Sequence, residues 1–175
     1  MPQTLAQIEY LRQQGTAVFT IQPATLFNET ERQTAVDRLA ADICQRLLAG
    51  RHVVFHAPHL PAQVAHTRQL GAEQGLGKTA VAQLVSQTVA DVAGLVVEGA
   101  GQNRLVVAGG ETSAAVCTRL GVTGLQIWRE IQPGLPSCLT LASPPLFLVL
   151  KSGSFGTPAF LADAIVHLQQ QKEKP

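Results

Sequence analysis

The sequence predicts an α/β domain, a layered sheet that is largely parallel or mixed, with helices on both faces. Three observations carry this expectation. Segments rich in β-branched and aliphatic residues alternate with segments of helical periodicity. Several strand candidates, among them "RLVVAGG" and "LFLVLK", are apolar along most of their length instead of alternating, as strands covered on two faces are. An apolar fraction of 46% against 14% charged supports a real core and excludes a charge-swollen disordered chain. At 175 residues, the stretch 1–175 reads as a single domain.

Taken in order, Thr4 and Gln7 stand in the T-x-x-Q spacing of a capping box ahead of Ile8 and Leu11, so a short helix begins there and Gly15 ends it. "TAVFTIQP" (16–23) is β-branched and aromatic and closes at Pro23 as a strand. Asn28 and Glu31 repeat the capping spacing before a helix with Ala35, Leu39, Ile43, Leu47 and Leu48 on its apolar face, stopped by Gly50. "HVVFHA" (52–57) is a second strand, and residues 58–76 read as irregular. A long apolar-rich helix runs from Lys78 towards Val92. "RLVVAGG" (104–110) is a buried strand and "TSAAVCTRLG" (112–121) a short helix ended by glycine. "LQIW" (125–128), "CLTLA" (138–142) and "LFLVLK" (146–151) are further strands. "QPGLPSCLTLASPP" can form a hairpin, which would make the sheet mixed. "PAFLADAIVHLQQQ" (158–171) is a final helix with Pro158 in its first turn, and the polar "QKEKP" is expected to fray.

A formal net charge of +1 provides no field for nucleic acid or anionic lipid, and aromatics at 5% leave little for base stacking. The cysteines, Cys44, Cys117 and Cys138, are odd in number and lack a C-x-x-C spacing. Cys44 and Cys117 lie in apolar-patterned segments and read as buried thiols of a reducing compartment, not as a disulfide frame or zinc site. The opening residues carry no signal-peptide pattern, and the apolar runs read as too short or too interrupted to span a bilayer. A soluble, cytoplasmic protein is the expectation.

"GAEQGLGKTA" (71–80) ends like a P-loop, but the motif G-x-x-x-x-G-K-[ST] needs glycine where Ala72 stands, and Gly71 comes one residue early. The preceding "PAQVAHTRQL" is polar, whereas a P-loop follows a buried strand. The stretch reads as a loop opening the next helix. An independent nucleotide hydrolase using Lys78 and Thr79 is the weaker alternative.

Two glycine loops are more informative. In "VVAGGETSAAV" (106–116) a buried strand meets a helix through Gly109 and Gly110. Glycines allow a sharp turn and close ligand approach, and the N–H groups of the following helical turn suit an anion. Thr112 or Ser113 could cap that helix or meet a phosphate oxygen; a plain strand-to-helix turn is the competing reading. In "LVLKSGSFGTPAF" (148–160) a second buried strand runs into Lys151, Ser152, Gly153, Phe155 and Gly156. Here the competing reading is an ordinary turn with Lys151 in solvent. If the two strands are parallel, both loops reach the same sheet edge, where α/β proteins place ligands.

"GGETS", then "REIQPGLP", then "LKSGSFG", with "TLAQI" near the start, resemble in order and spacing the carboxyl-terminal domain of the four-carbon acid sugar kinases. The likeness covers nearly the whole chain. It implies that ATP is bound, with Mg2+, by Gly109, Gly110, Glu111 and Thr112, and that Gly153 lies beside the nucleotide. Glu111 is awkward against a phosphate, since both are negative; magnesium, water or its backbone would mediate. The resemblance also implies an amino-terminal sugar-acid domain carrying the general base, and a glycine- and serine-rich segment lending a serine to the nucleotide site. Neither has a counterpart in these residues, so the chain alone is expected to be inactive, with no catalytic residue of its own. A non-catalytic binding or dimerisation module, possible as a homodimer, is the second reading.

His56 and His59 in "HAPH" lack the further ligands a metal site needs, and Pro58 breaks a helix that would align them, so no metal site is expected. Arg129 could meet a phosphate but reads first as a surface ion-pair residue, and Trp128 could stack on a base but reads first as core or edge. No G-x-S-x-G, paired-carboxylate or Ser-His-Asp pattern stands out.

Overall fold

The computed structural model describes residues 2–170; the expected fraying of residues 171–175 lies outside them. In chain order the elements are α1 (Pro2–Gln13), β1 (Ala17–Thr20), a 3-10 turn (Pro23–Thr25), α2 (Glu29–Leu48), β2 (Val53–His56), α3 (Pro61–Glu73), α4 (Lys78–Ala100), β3 (Arg104–Ala108), α5 (Gly110–Arg119), β4 (Leu125–Gln132), β5 (Leu135–Thr140), β6 (Phe147–Lys151) and α6 (Phe160–Gln170). The α/β class expected from the sequence is what the chain forms. The chain divides into two compact units, Met1–Thr16 with Gln102–Pro175, and Ala17–Gly101.

The first unit holds a four-stranded sheet in the order β3-β6-β5-β4. β3 and β6 are parallel, with Ala108 opposite Lys151, while β5 runs antiparallel to both β6 and β4. The hairpin expected of the "QPGLPSCLTLASPP" region forms between β4 and β5, and this sheet is mixed. Its turn uses Gly134 at φ +74°, whose N–H donates to Glu130 Oε1 at 2.8 Å. The inner strands β5 and β6 are almost wholly buried, and the edge strand β4 is mostly exposed. The buried side chains of this unit include Leu148 and Val149 of β6, Phe160, Leu161, Ala164 and Leu168 of α6, Val116 of α5, and Ile8 and Leu11 of α1.

In the second unit β1 and β2 pair in parallel, Ala17 opposite Val53. Their side chains are half-buried, not enclosed on both faces. α2 begins as expected, Asn28 Oδ1 accepting from Glu31 N at 3.0 Å, and ends before Gly50 at φ +72°. Its Val36, Ala40 and Ile43 pack with Val92 and Val96 of α4. α3 corrects the irregular reading of residues 58–76. Pro61 takes the first helical turn, and Gln63 Oε1 accepts from Leu60 N at 3.3 Å. The helix has almost no apolar stripe, which is why periodicity missed it. α4, at 23 residues, is also long and apolar enough to cross a membrane, contrary to the reading of interrupted runs; half of its apolar window is buried inside the protein.

Candidate nucleotide site

The parallel pairing of β3 and β6 brings the carboxyl ends of both strands, and thus both glycine loops, side by side. A hydrogen bond from Gly109 N to Lys151 O, 2.9 Å long, joins them. Gly109 has φ +111°, a conformation that side chains rarely adopt. It caps α5 without any side-chain cap bond, and Ser113 N is the first helical amide to find an acceptor, Gly109 O at 2.8 Å. Thr112 and Ser113 therefore do not cap the helix. The amides of Gly110, Glu111 and Thr112 are the unsatisfied donors of the first turn, the arrangement that favours an anion. A Cβ added at Gly110 would meet nothing within 4 Å, so this turn is open to a ligand. Glu111 is exposed in the same turn.

The second loop is held from α1. Thr4 Oγ1 donates to Gly153 O at 2.7 Å, and Gln7 Nε2 donates to Phe155 O at 3.1 Å and Thr157 O at 2.9 Å. The helix already runs from Pro2, so Thr4 and Gln7 do not form the expected capping box. Their spacing puts both on one helix face, directed at the loop. From β4, Gln132 Nε2 donates to Thr157 Oγ1 at 2.9 Å, and Gln132 Oε1 accepts from Thr157 N at 3.2 Å. α6 starts at Phe160, two residues beyond Pro158, because the loop continues through Thr157, whose carbonyl accepts from Phe160 N at 3.0 Å.

Lys151 is not in solvent. It is 3% exposed, and its Nζ donates to Thr4 Oγ1 at 3.1 Å and to Ser152 O at 2.9 Å. Burial pushes its pKa down. Sequence reasoning named Lys151 but missed its burial, and missed Thr4 and Gln7 as loop supports; their shared helix face was the available signal.

Other candidates resolve differently. His59 Nδ1 lies 2.9 Å from His56 Nδ1, so Pro58 does not keep the pair apart, yet no group of three or more His, Cys, Asp or Glu that could hold a metal occurs among the described residues. Ser137 Oγ is 2.8 Å from His167 Nε2, but the hydroxyl donates to Arg129 O at 3.0 Å. The imidazole N–H must then donate to Oγ, which makes a structural bridge and not a Ser-His nucleophile. Arg129 lies over the Trp128 ring, 5.9 Å from its centroid. Cys44 and Cys117 are half-buried and Cys138 is buried; all three are free thiols. Gly77-Lys78-Thr79 joins α3 to α4, with no strand before it.

Residues 1–161 match the family model described as the nucleotide-binding C-terminal domain. The chain belongs to this family. Among its relatives is the 3-oxo-tetronate kinase of Cupriavidus necator, 38% identical over 169 residues, covering 94% of this chain and 35% of that protein. The 3-oxo-isoapionate kinase of Paraburkholderia graminis is 27% identical over 165 residues, covering 91% of this chain and 35% of the relative. The chain thus spans about a third of the length of the curated relatives it matches. A crystal structure of a Salmonella typhimurium LT2 protein aligns with TM-score 0.77 and 28% identity, over 93% of this chain and 37% of the other. A Bordetella bronchiseptica domain of unknown function, solved with bound citrate as a domain-swapped dimer, aligns with TM-score 0.72 and 20% identity over 98% of this chain and 39% of its own, a likeness of fold.

Proposed function

We propose that this chain is the ATP-binding part of a kinase that transfers the γ-phosphoryl group to a hydroxyl of a four-carbon sugar acid, such as threonate, erythronate or an oxo-tetronate. The observation that carries the reading is the hydrogen bond between Gly109 and Lys151, which brings an uncapped helix start and a second glycine loop together at one sheet edge. The backbone amides of Gly110, Glu111 and Thr112, with Gly109 turning the chain into them, would hold phosphate oxygens, and Gly153 would flank the nucleotide. Such a transfer depends on positioning and charge neutralisation, with magnesium bridging the phosphates. Magnesium binds mostly through phosphates and water with one or two carboxylates, and Glu111, exposed in the first turn of α5, is the carboxylate at hand. The sugar acid and the general base would come from residues beyond this chain, so these residues alone bind nucleotide without turning it over. A cytoplasmic setting, where ATP is abundant, suits this role.

Calorimetric titration with ATP and magnesium tests the reading. Wild type should bind saturably. Gly110→Val should fold normally, because the added side chain enters open space, and should lose affinity by roughly 10-fold or more from obstruction of the ligand. Unchanged affinity in this variant and in a bulky Gly153 variant would remove the site.

One observation favours the second reading, a dimerisation module. On edge strand β4 and beside it, Leu125, Ile127 and Leu141 are 38%, 72% and 67% exposed. Sedimentation of wild type against Ile127→Lys decides it: a dimer dispersed by the charge, without nucleotide binding, favours the module.

A further inference from the structure

Lys151 is the strand end from which both glycine loops are held. Its carbonyl accepts from Gly109 of the first loop, and its ammonium donates to Ser152 O and to Thr4 Oγ1, which in turn donates to Gly153 O of the second. Both acceptors of the ammonium are neutral. Among the described residues no carboxylate pairs with it. An ammonium has three N–H donors, and two are used. A cation that is 3% exposed, lacks a counter-charge and keeps a donor in hand is costly unless an anion joins it. A second unsatisfied group lies on the neighbouring element: Ser113 Oγ, in the opening turns of α5, is buried without a hydrogen-bond partner.

We propose that Lys151 supplies the buried positive charge that recognises the nucleotide's polyphosphate, its third N–H donating to a phosphate oxygen while its other contacts hold the two glycine loops in place. The inference rests on the nucleotide reading above and adds a residue to it. Backbone amides supply geometry and partial charge, whereas Lys151 supplies a whole charge that is itself shielded from water, and charge-assisted hydrogen bonds are the strong ones. The ligand class is therefore polyphosphate-bearing. Affinity should grow with phosphate number.

The test is a calorimetric series of adenosine, AMP, ADP, ATP and inorganic tripolyphosphate against wild type, Lys151→Met and Lys151→Arg, with circular dichroism melts to confirm folding. The expected result is that Lys151→Met weakens ADP, ATP and tripolyphosphate by roughly 10- to 100-fold while adenosine changes less than about twofold. Lys151→Arg should recover part of the loss. An equal loss across the series, adenosine included, would make Lys151 a scaffold residue only and overturn the proposal while leaving the nucleotide reading intact. A wild type that binds none of the five removes the nucleotide reading, and this proposal with it. If Lys151→Met does not fold, 15N-lysine NMR of the wild type decides: tripolyphosphate should shift one Nζ resonance and slow its hydrogen exchange, and an unmoved spectrum at saturation overturns the proposal.

Discussion

Gly156 and Phe160 constrain each other. Gly156 is at φ +87°, and a Cβ there would lie 2.8 Å from Phe160 Cβ and 3.0 Å from Gln7 Nε2. Gly156→Ala combines left-handed strain with overlap against a fully buried ring, so urea unfolding should show a loss of about 1–3 kcal/mol. Phe160→Ala, which empties the space instead, should cost about 3–5 kcal/mol by the same measurement. His167 gives the chain a pH dependence. Burial, and then the charge of Arg129, lower its pKa from 6.5. Between 6.5 and that lowered value the unfolded chain binds more protons than the folded one, so stability rises with pH there. The contribution is complete above 6.5 and is lost as pH falls through the folded value. The denaturant midpoint should therefore drop on acidification below 6.5, and drop less in His167→Gln.

Helix α1 owes its position to polar ties as much as to its apolar side. Ile8 and Leu11 are buried, while Thr4 and Gln7 hold loop carbonyls nearly the whole chain length away. Gln7→Ala leaves Phe155 O and Thr157 O without that donor. It should cost about 1–3 kcal/mol in a denaturation curve and also weaken ATP binding, since the loop beside Gly153 loses its support. The T-x-x-Q spacing was visible in the sequence but fits two physical roles, a helix cap and a helix face. Only the partners distinguish them, and the partners come from distant residues. α3 shows the opposite failure. Its residues carry no stripe for periodicity to find, and the helix is secured by Pro61 at its start and by close packing: a side chain at Gly71 would overlap Val81 and press on Phe27. Elements with strong local chemistry were legible. Asn28 capped its helix, and the Pro133-Gly134 turn made its hairpin.

For the protein as a whole, ligand binding is a stability statement. A nucleotide that binds the folded chain and not the unfolded one raises the melting temperature, and at about 100 times the dissociation constant it adds about 2.7 kcal/mol. Thermal scans with increasing ATP and magnesium should show this rise, and Gly110→Val should flatten it while melting like wild type without nucleotide. The sequence by itself determined the α/β class, the order of the strands and of every helix but α3, and both glycine loops, because these follow from periodicity, turn residues and the backbone freedom of glycine, which act over a few neighbouring positions. Tertiary structure alone decided that β3 and β6 are adjacent and parallel, that Lys151 is buried without a counter-charge among the described residues, and that Thr4 and Gln7 face the second loop. Those facts depend on which distant segments pair and pack, and the stability of a buried charge or a satisfied carbonyl is set by whatever those segments bring beside it.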